Sequence, residues 1–504
     1  MGITSVGFLA FTAVSIIIYY IVPKRFQWWV LLADSLIFYF LNSVAYTFVY
    51  LLVSVISVYF AALYFEKHDK GKKPVLVLTI VLNAGLLAVL KYTNLAINTV
   101  SFIRERSGGE ALKNVKWYAS LAISFYTLQI IAYLLDNYWG VAEREKNPLK
   151  LLLFTSYFPQ MISGPISRHS ELAPQFFKEH SFDYEKVTRG MRRCAFGIAK
   201  KVIVADRLAV FVSVLFSDPD TYSGIWAVIA AVLFVIQLYF DFSGCMDIVL
   251  GVSLSFGIEL TENFKAPFLS RSIQEFWQRW HITLGAWLKA YIMYPILKTD
   301  AFSNMAAGCK KRFGKQGKKI PSYIAMLAVW FLMGLWHGNS WKYVVGEGLW
   351  FWLIIVLGQV FEPLFKKLKN ALHIKEESVL FNIFRVVRTV LLYSFGMIFF
   401  NAKSLEASFY MISRMFVQSS FIGGLKSLYD EAFASFGGFD AFFAVLLMFA
   451  LQIYADFKIY AGKDVQEAVT KRPLVLRWIL YFALVLLIIT EGAFGQSTFI
   501  YFGF

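Results

Sequence analysis

The stretch TYSGIWAVIAAVLFVIQLYF, residues 221–240, carries no formal charge over 20 residues, and IPSYIAMLAVWFLMGLWHGNSW, residues 320–341, repeats the feature over 22. About 20 consecutive apolar residues match the hydrocarbon thickness of a bilayer, so both stretches read as membrane spans. The whole chain agrees. Of its 504 residues, 58% are hydrophobic, 18% aromatic and only 16% charged, with a mean hydropathy of +0.58, where an ordinary soluble protein is roughly 25% charged. A soluble globule, a disordered chain and a secreted disulfide scaffold are disfavoured. The three cysteines, Cys194, Cys245 and Cys309, have no metal-site or disulfide-framework spacing and read as small core residues.

In lipid every backbone polar group must be satisfied internally, which leaves helix or closed barrel, and the long runs lack the period-two alternation of a barrel. The sequence therefore predicts an all-α polytopic membrane protein. Spans are expected near 4–22, 28–41, 44–65, 75–98, 117–137, 221–250, 322–337, 343–361, 384–400, 440–457 and 474–490. The first lacks a basic stretch ahead of its apolar run and an A-x-A end, and reads as a retained span rather than a cleaved signal. Residues 149–217 and 255–300 are too broken by Pro, Gly, Arg and His for simple spans, yet too aromatic for a solvated loop. They read as re-entrant or interfacial segments lining an internal cavity. With no internal repeat and no low-complexity linker, 1–504 reads as one domain.

The formal charge is +16, from 49 Lys and Arg against 33 Asp and Glu. Basic residues gather in the gaps between spans: Lys24 and Arg25, 67–73, 186–207, 310–319, 366–388 and 458–477. If these gaps are cytoplasmic, as the positive-inside rule prefers, both termini face outward. The cluster Lys310, Lys311, Arg312, Lys315, Lys318 and Lys319 fits either a topology signal touching anionic lipid or an attractor for an anionic cytoplasmic donor. Charge alone does not separate the two.

Polar residues in apolar surroundings are the functional candidates. His68 and His373 lie in basic gaps, and His169 and His180 in a polar segment rich in Pro and acids. His337 instead ends the apolar stretch 326–336, and a desolvated imidazole stays neutral, which suits a general base. A structural histidine bonded at a helix end is the plain alternative. His281 lies in EFWQRWHITLGAWLKAY, whose aromatics are equally explained by an interfacial helix face. Asp136, Asp241 and Asp247 border apolar runs and fit helix caps, interfacial ion pairs or substrate ligands. Phosphate-loop, hydrolase-elbow and zinc-protease motifs are absent from the sequence.

Six strings in order carry a resemblance: ISFYTLQIIAYLLDNYWG (123–140), YFPQMISGPISRHSEL (157–172), YFDFSGCMDIVLG (239–251), NFKAPFLSRSIQEFWQRWHITLGAWLKAY (263–291), GLWHG (334–338) and FIYFGF (499–504). From about residue 120 the chain resembles the membrane-bound O-acyltransferase superfamily, in its bacterial branch of alginate O-acetylation proteins and teichoic-acid D-alanyl transferases. The resemblance implies a bundle of about 11 transmembrane helices with re-entrant or interfacial helices around a central tunnel, its motif-bearing core at about 120–361. It implies His337 as the essential histidine, His281 as the second, and Trp336, Asn339, Asp241, Ser243, Asp247, Trp280 and Asp136 as substrate-binding or tunnel residues. Two departures stand out. Lys289-Ala290-Tyr291 replaces the usual Arg-Asp-Tyr, and Asn137-Tyr138-Trp139 lacks the Arg that often follows Asp136.

The implied activity is transfer of a short acyl group, acetyl first, from a cytoplasmic acyl-coenzyme A or acyl-carrier-protein thioester to an extracytoplasmic polysaccharide, through an external acyltransferase- or esterase-like partner. No bound cofactor, metal or nucleic acid is implied, and the surroundings are the lipids of a bacterial cytoplasmic membrane. Residues 499–504 fit F-x-Y-x-x-F, which resembles an acyl-accepting tail with Tyr501 as nucleophile; an interfacial aromatic belt is the alternative. Two other functions fit the residues. One is an acyltransferase of the same superfamily acting on a lipid or protein. The other is a proton-coupled transporter using Asp136, Asp241, Asp247 and His337.

Overall fold

The computed structural model describes residues 1–118, 120–495 and 500. The described residues are helical, with no strand beyond one isolated bridge between Phe264 and Trp280. They form two compact units, Met1–Gly197 with Cys245–Thr261 and Ile198–Gly244 with Glu262–Phe504, and the chain passes between them three times, once within the helix Ile225–Ser255.

Each of the eleven expected spans overlaps a helix, the fifth only from Ile123 onward, and the count of eleven crossings is not established. Among the described residues, eight helical segments are long and apolar enough to cross a membrane: Ala45–Lys67, Lys72–Arg106, Ile225–Ser255, Ile320–His337, Trp341–Val360, Val379–Asn401, Gly438–Tyr460 and Leu474–Glu491. The other three, Val6–Ile21, Gln27–Asn42 and Ile123–Tyr138, have 16 residues each. At 1.5 Å per residue these reach about 24 Å, short of a hydrocarbon core of about 30 Å.

In the first unit, the stretch expected to be broken holds the short helices Pro148–Ser156, Phe158–Ser163 and His169–Phe177 and the longer Tyr184–Ala199. Pro148 opens the first of these at a position whose N–H needs no partner, and the Asn147 side chain caps it by accepting from Leu149 N at 2.9 Å. Gly190 and Gly251 let two helices touch backbone to backbone, since a Cβ on Gly190 would stand 2.4 Å from the Gly251 carbonyl.

In the second unit, Lys200 and Lys201 are buried within a π-helical segment, Lys200–Ala205, so the basic stretch 186–207 is not wholly a solvated loop. The helix Leu474–Glu491 buries none of its apolar window. Arg207 latches its end by donating from Nε and Nη2 to the Glu491 carbonyl at 2.9 and 2.7 Å, and Ala493 N donates to the Val202 carbonyl at 2.9 Å. Cys245 is buried; Cys194 and Cys309 are partly exposed.

Candidate active site

His337 is the last residue of Ile320–His337, and His281 joins Ile273–Arg279 to Ile282–Leu288, all in the second unit. The two rings are 0% and 1% exposed for His281 and His337, with centroids 6.3 Å apart. Trp336 packs against both, at 5.5 Å from His281 and 5.0 Å from His337. Phe242 and Phe400 contribute further aromatic walls, against His281 and His337 respectively.

Hydrogen bonds assign complementary tautomers to the two rings. His337 Nδ1 lies 2.9 Å from the Met333 carbonyl and 2.8 Å from Glu347 Oε2. Both neighbours are acceptors, so Nδ1 carries the proton and Nε2 keeps its lone pair. On the other ring, Asn263 Oδ1 accepts from Thr283 N and Oγ1 at 3.1 and 3.0 Å, which fixes the amide orientation. Asn263 Nδ2 therefore donates to His281 Nδ1 at 3.3 Å, leaving Nε2 of His281 as a donor. One imidazole can take a proton while the other offers one.

Local backbone geometry delivers these groups. His281 is held at φ 47°, ψ 49°, a left-handed conformation that costs a non-glycine residue roughly 1–2 kcal/mol. Asn263 secures it, its carbonyl accepting from Ile282 N at 3.1 Å. Glu347 sits in the π-helical segment Val344–Leu349 between two glycines pressed against neighbouring helices. A Cβ on Gly346 would fall 2.3 Å from Phe399 Cβ, and one on Gly348 would fall 2.8 Å from the Trp330 carbonyl. Gly334 likewise admits the Val344 backbone, since a Cβ there would meet Val344 Cα at 2.6 Å. Close approach at these positions brings a carboxylate that is 1% exposed against the end of the preceding helix.

The other sequence candidates have different settings. Asp241 pairs with Lys201 Nζ at 2.7 Å, and the same ammonium pairs with Asp206 at 2.6 Å. Ser243 accepts from Lys200 Nζ at 3.1 Å. Asp241 Oδ2 also accepts from the Ile500 amide at 3.0 Å, and the next residue along the helix, Phe242, is the one that packs on His281. Trp280 stacks on Phe276 and meets Phe264 and Tyr393 edge-on or tilted, so it serves as aromatic core beside the site. Asn339 is exposed on the turn after His337. Asp136 and Asp247 belong to the first unit, the former buried near the end of Ile123–Tyr138 and the latter paired with Arg193 Nε at 2.9 Å. Tyr501 lies outside the described residues.

Sequence reasoning missed Glu347, Asn263 and Lys201. A signal for the first was present: one acid between two glycines, V-G-E-G-L, inside a run otherwise free of acids. Two surface cavities, one lined by Trp350, Phe384, Arg388 and Phe395 and the other by residues 375–378, touch neither histidine.

Residues 141–307 match the model of the membrane-bound O-acyltransferase family. Over 406 residues, 79% of this chain and 72% of that protein, the sequence is 30% identical to a probable alginate O-acetylase of Pseudomonas syringae pv. tomato. It is 31% identical to a peptidoglycan O-acetyltransferase of Helicobacter pylori over 418 residues, 77% of this chain and 73% of that protein. It is also 26% identical to a teichoic acid D-alanyltransferase of Bacillus subtilis over 256 residues, 49% of this chain and 61% of that protein.

Proposed function

The chain belongs to the membrane-bound O-acyltransferase family, and from that premise we propose that it moves a short acyl group, acetyl first, from a cytoplasmic thioester to an extracytoplasmic polysaccharide. Its relatives' acceptors, alginate, peptidoglycan and teichoic acid, support a polymer of the cell envelope. The observation that carries the reading is the buried pair of rings in opposite tautomers.

In this reaction Nε2 of His337 takes the proton of a hydroxyl as its oxygen adds to the thioester carbonyl. His281 Nε2–H donates to the oxyanion that forms. Collapse breaks the C–S bond, and the leaving thiolate takes the proton back from His337. Atoms and charges balance, and no metal or resident cofactor enters a step. A passage between the helices brings donor and acceptor to the rings. Because both histidines are buried, substrates arrive only as surrounding groups move aside.

Tyr501 is the first acceptor in this scheme, passing the acyl group to an external partner protein with both termini extracytoplasmic. A phenol with pKa ~10 leaves more readily than a sugar hydroxyl, so its ester stays reactive enough for a second transfer. The Ile500 amide on Asp241, one residue from the Phe242 contact with His281, supports a tail that reaches the site. Intact-mass analysis of purified protein after incubation with acetyl-coenzyme A tests both steps. An acetyl adduct on the final peptide is expected in wild type and lost in Tyr501→Phe and in His337→Ala. An adduct retained by Tyr501→Phe ends the relay, and one retained by His337→Ala ends the catalytic assignment.

A further inference from the structure

We infer that Glu347 is a positioning residue for the acyl transfer: it stands against Nδ1 of His337, opposite the nitrogen that takes the hydroxyl proton, and offsets the charge the ring then acquires. The inference rests on the reading of His337 as general base and adds to it a second residue with a separate role.

Two groups meet His337 Nδ1, and they do different work. The Met333 carbonyl, on the same helix one turn back, is the aligned acceptor of the ring N–H at 2.9 Å. Glu347 Oε2 is closer, at 2.8 Å, yet has no aligned hydrogen bond of its own. The carbonyl thus fixes the tautomer, while the carboxylate acts mainly through its charge at short range. In the resting ring that charge is of little consequence. Once Nε2 is protonated the imidazolium and the carboxylate form an ion pair, each 1% exposed, where water screens little. An interaction stronger in the transition state than before it lowers the barrier without tightening substrate binding.

The local sequence is built for this contact. Glycines flank Glu347 on both sides, a third at 334 opens the facing helix, and Glu347 itself lies in the π-helical segment Val344–Leu349.

The test measures release of free coenzyme A from acetyl-coenzyme A by the full-length protein in detergent, with a soluble chito-oligosaccharide supplied as hydroxyl acceptor so that turnover continues. Glu347→Gln keeps the shape and removes the charge. Its kcat is expected to fall about 10–100-fold, as for other groups that orient a reacting histidine, with KM unchanged within about twofold. Glu347→Asp is expected to recover part of the loss, and thermal unfolding of the Gln variant should match wild type. Placed in a His337→Ala background, Glu347→Gln should cost nothing further, because residues that act as a unit are not additive. A folded Glu347→Gln with wild-type kcat, a loss confined to KM, or a loss matched by a lowered Tm would overturn the inference while leaving His337 as base. Wild-type turnover in His337→Ala would sink that underlying reading and this one together.

Discussion

Two histidines stand at helix ends, one in each unit, and they differ in every respect that bears on proton transfer. His169 opens the helix His169–Phe177, between the rings of Tyr133 and Phe154 at 4.6 and 5.0 Å. Its Nε2 is out of reach of water and has no hydrogen-bond partner among the described residues, and desolvation pushes its pKa down to about 4. His337 closes its helix instead, where the last carbonyls form the negative end of the dipole, and a carboxylate lies against its Nδ1. A positive charge arriving on His169 meets the positive end of a dipole and two aromatic rings; on His337 it meets complementary charge. Desolvation keeps an imidazole neutral but does not help it hold a proton once taken. What lies at the opposite nitrogen decides whether it can work.

The largest effect that would break this contrast is on transfer itself. His337→Ala should lower acetyl transfer by about 10²–10⁴, the usual worth of a general base; a smaller loss in well-folded protein would place the two histidines in one class. Next comes the lysine cluster, read as structural support and tail anchor. Lys201→Met strands two buried carboxylates, Asp206 and Asp241, and should cost about 3–5 kcal/mol of stability, seen as a lowered thermal midpoint in detergent. An unchanged midpoint would mean that the ion pairs are dispensable for folding. His281→Ala removes a donor to the oxyanion and should cost about 10²-fold in kcat, with less change in KM.

The smallest effect concerns His169 and carries a defined sign. In the unfolded chain this ring titrates near 6.5, in the fold at about 4, so between those values the unfolded state binds more protons. Stability therefore falls as pH drops from 6.5 towards 4 and is flat above. His169→Phe should remove that part of the acid slope and leave transfer intact. Unfolding curves of both proteins at pH 4.5 and 7.5 give the answer, and an equal slope in the two would refute the assignment.

Hydropathy made the helices legible because it averages over some 20 residues, and a bilayer demands that average. Strings such as GLWHG singled out His337 as a candidate through their resemblance to the family, since a titratable ring after an apolar stretch fits a structural helix-end histidine as well. Individual polar partners were harder to see. Asn263 stands 18 residues before His281 and acts through one amide, so no local pattern links them. Lys201 reads as one more charge in a basic stretch until its two carboxylates are located, one of them 40 residues away. Glu347 was hidden by its span, where one acid barely moves a window average. The left-handed turn at His281 leaves no compositional trace, because even a residue type enriched in that region seldom adopts it.

The Arg207 latch has an evolutionary corollary. Its guanidinium holds the end of Leu474–Glu491 through a main-chain oxygen, with the Glu491 carboxylate only a distant second contact at 3.6 Å. Every amino acid brings that oxygen with it, so position 491 is free to drift, whereas position 207 is not. A saturation library should therefore tolerate most replacements at 491 and almost none at 207, an asymmetry that comparing the two side chains as an ordinary ion pair would not anticipate.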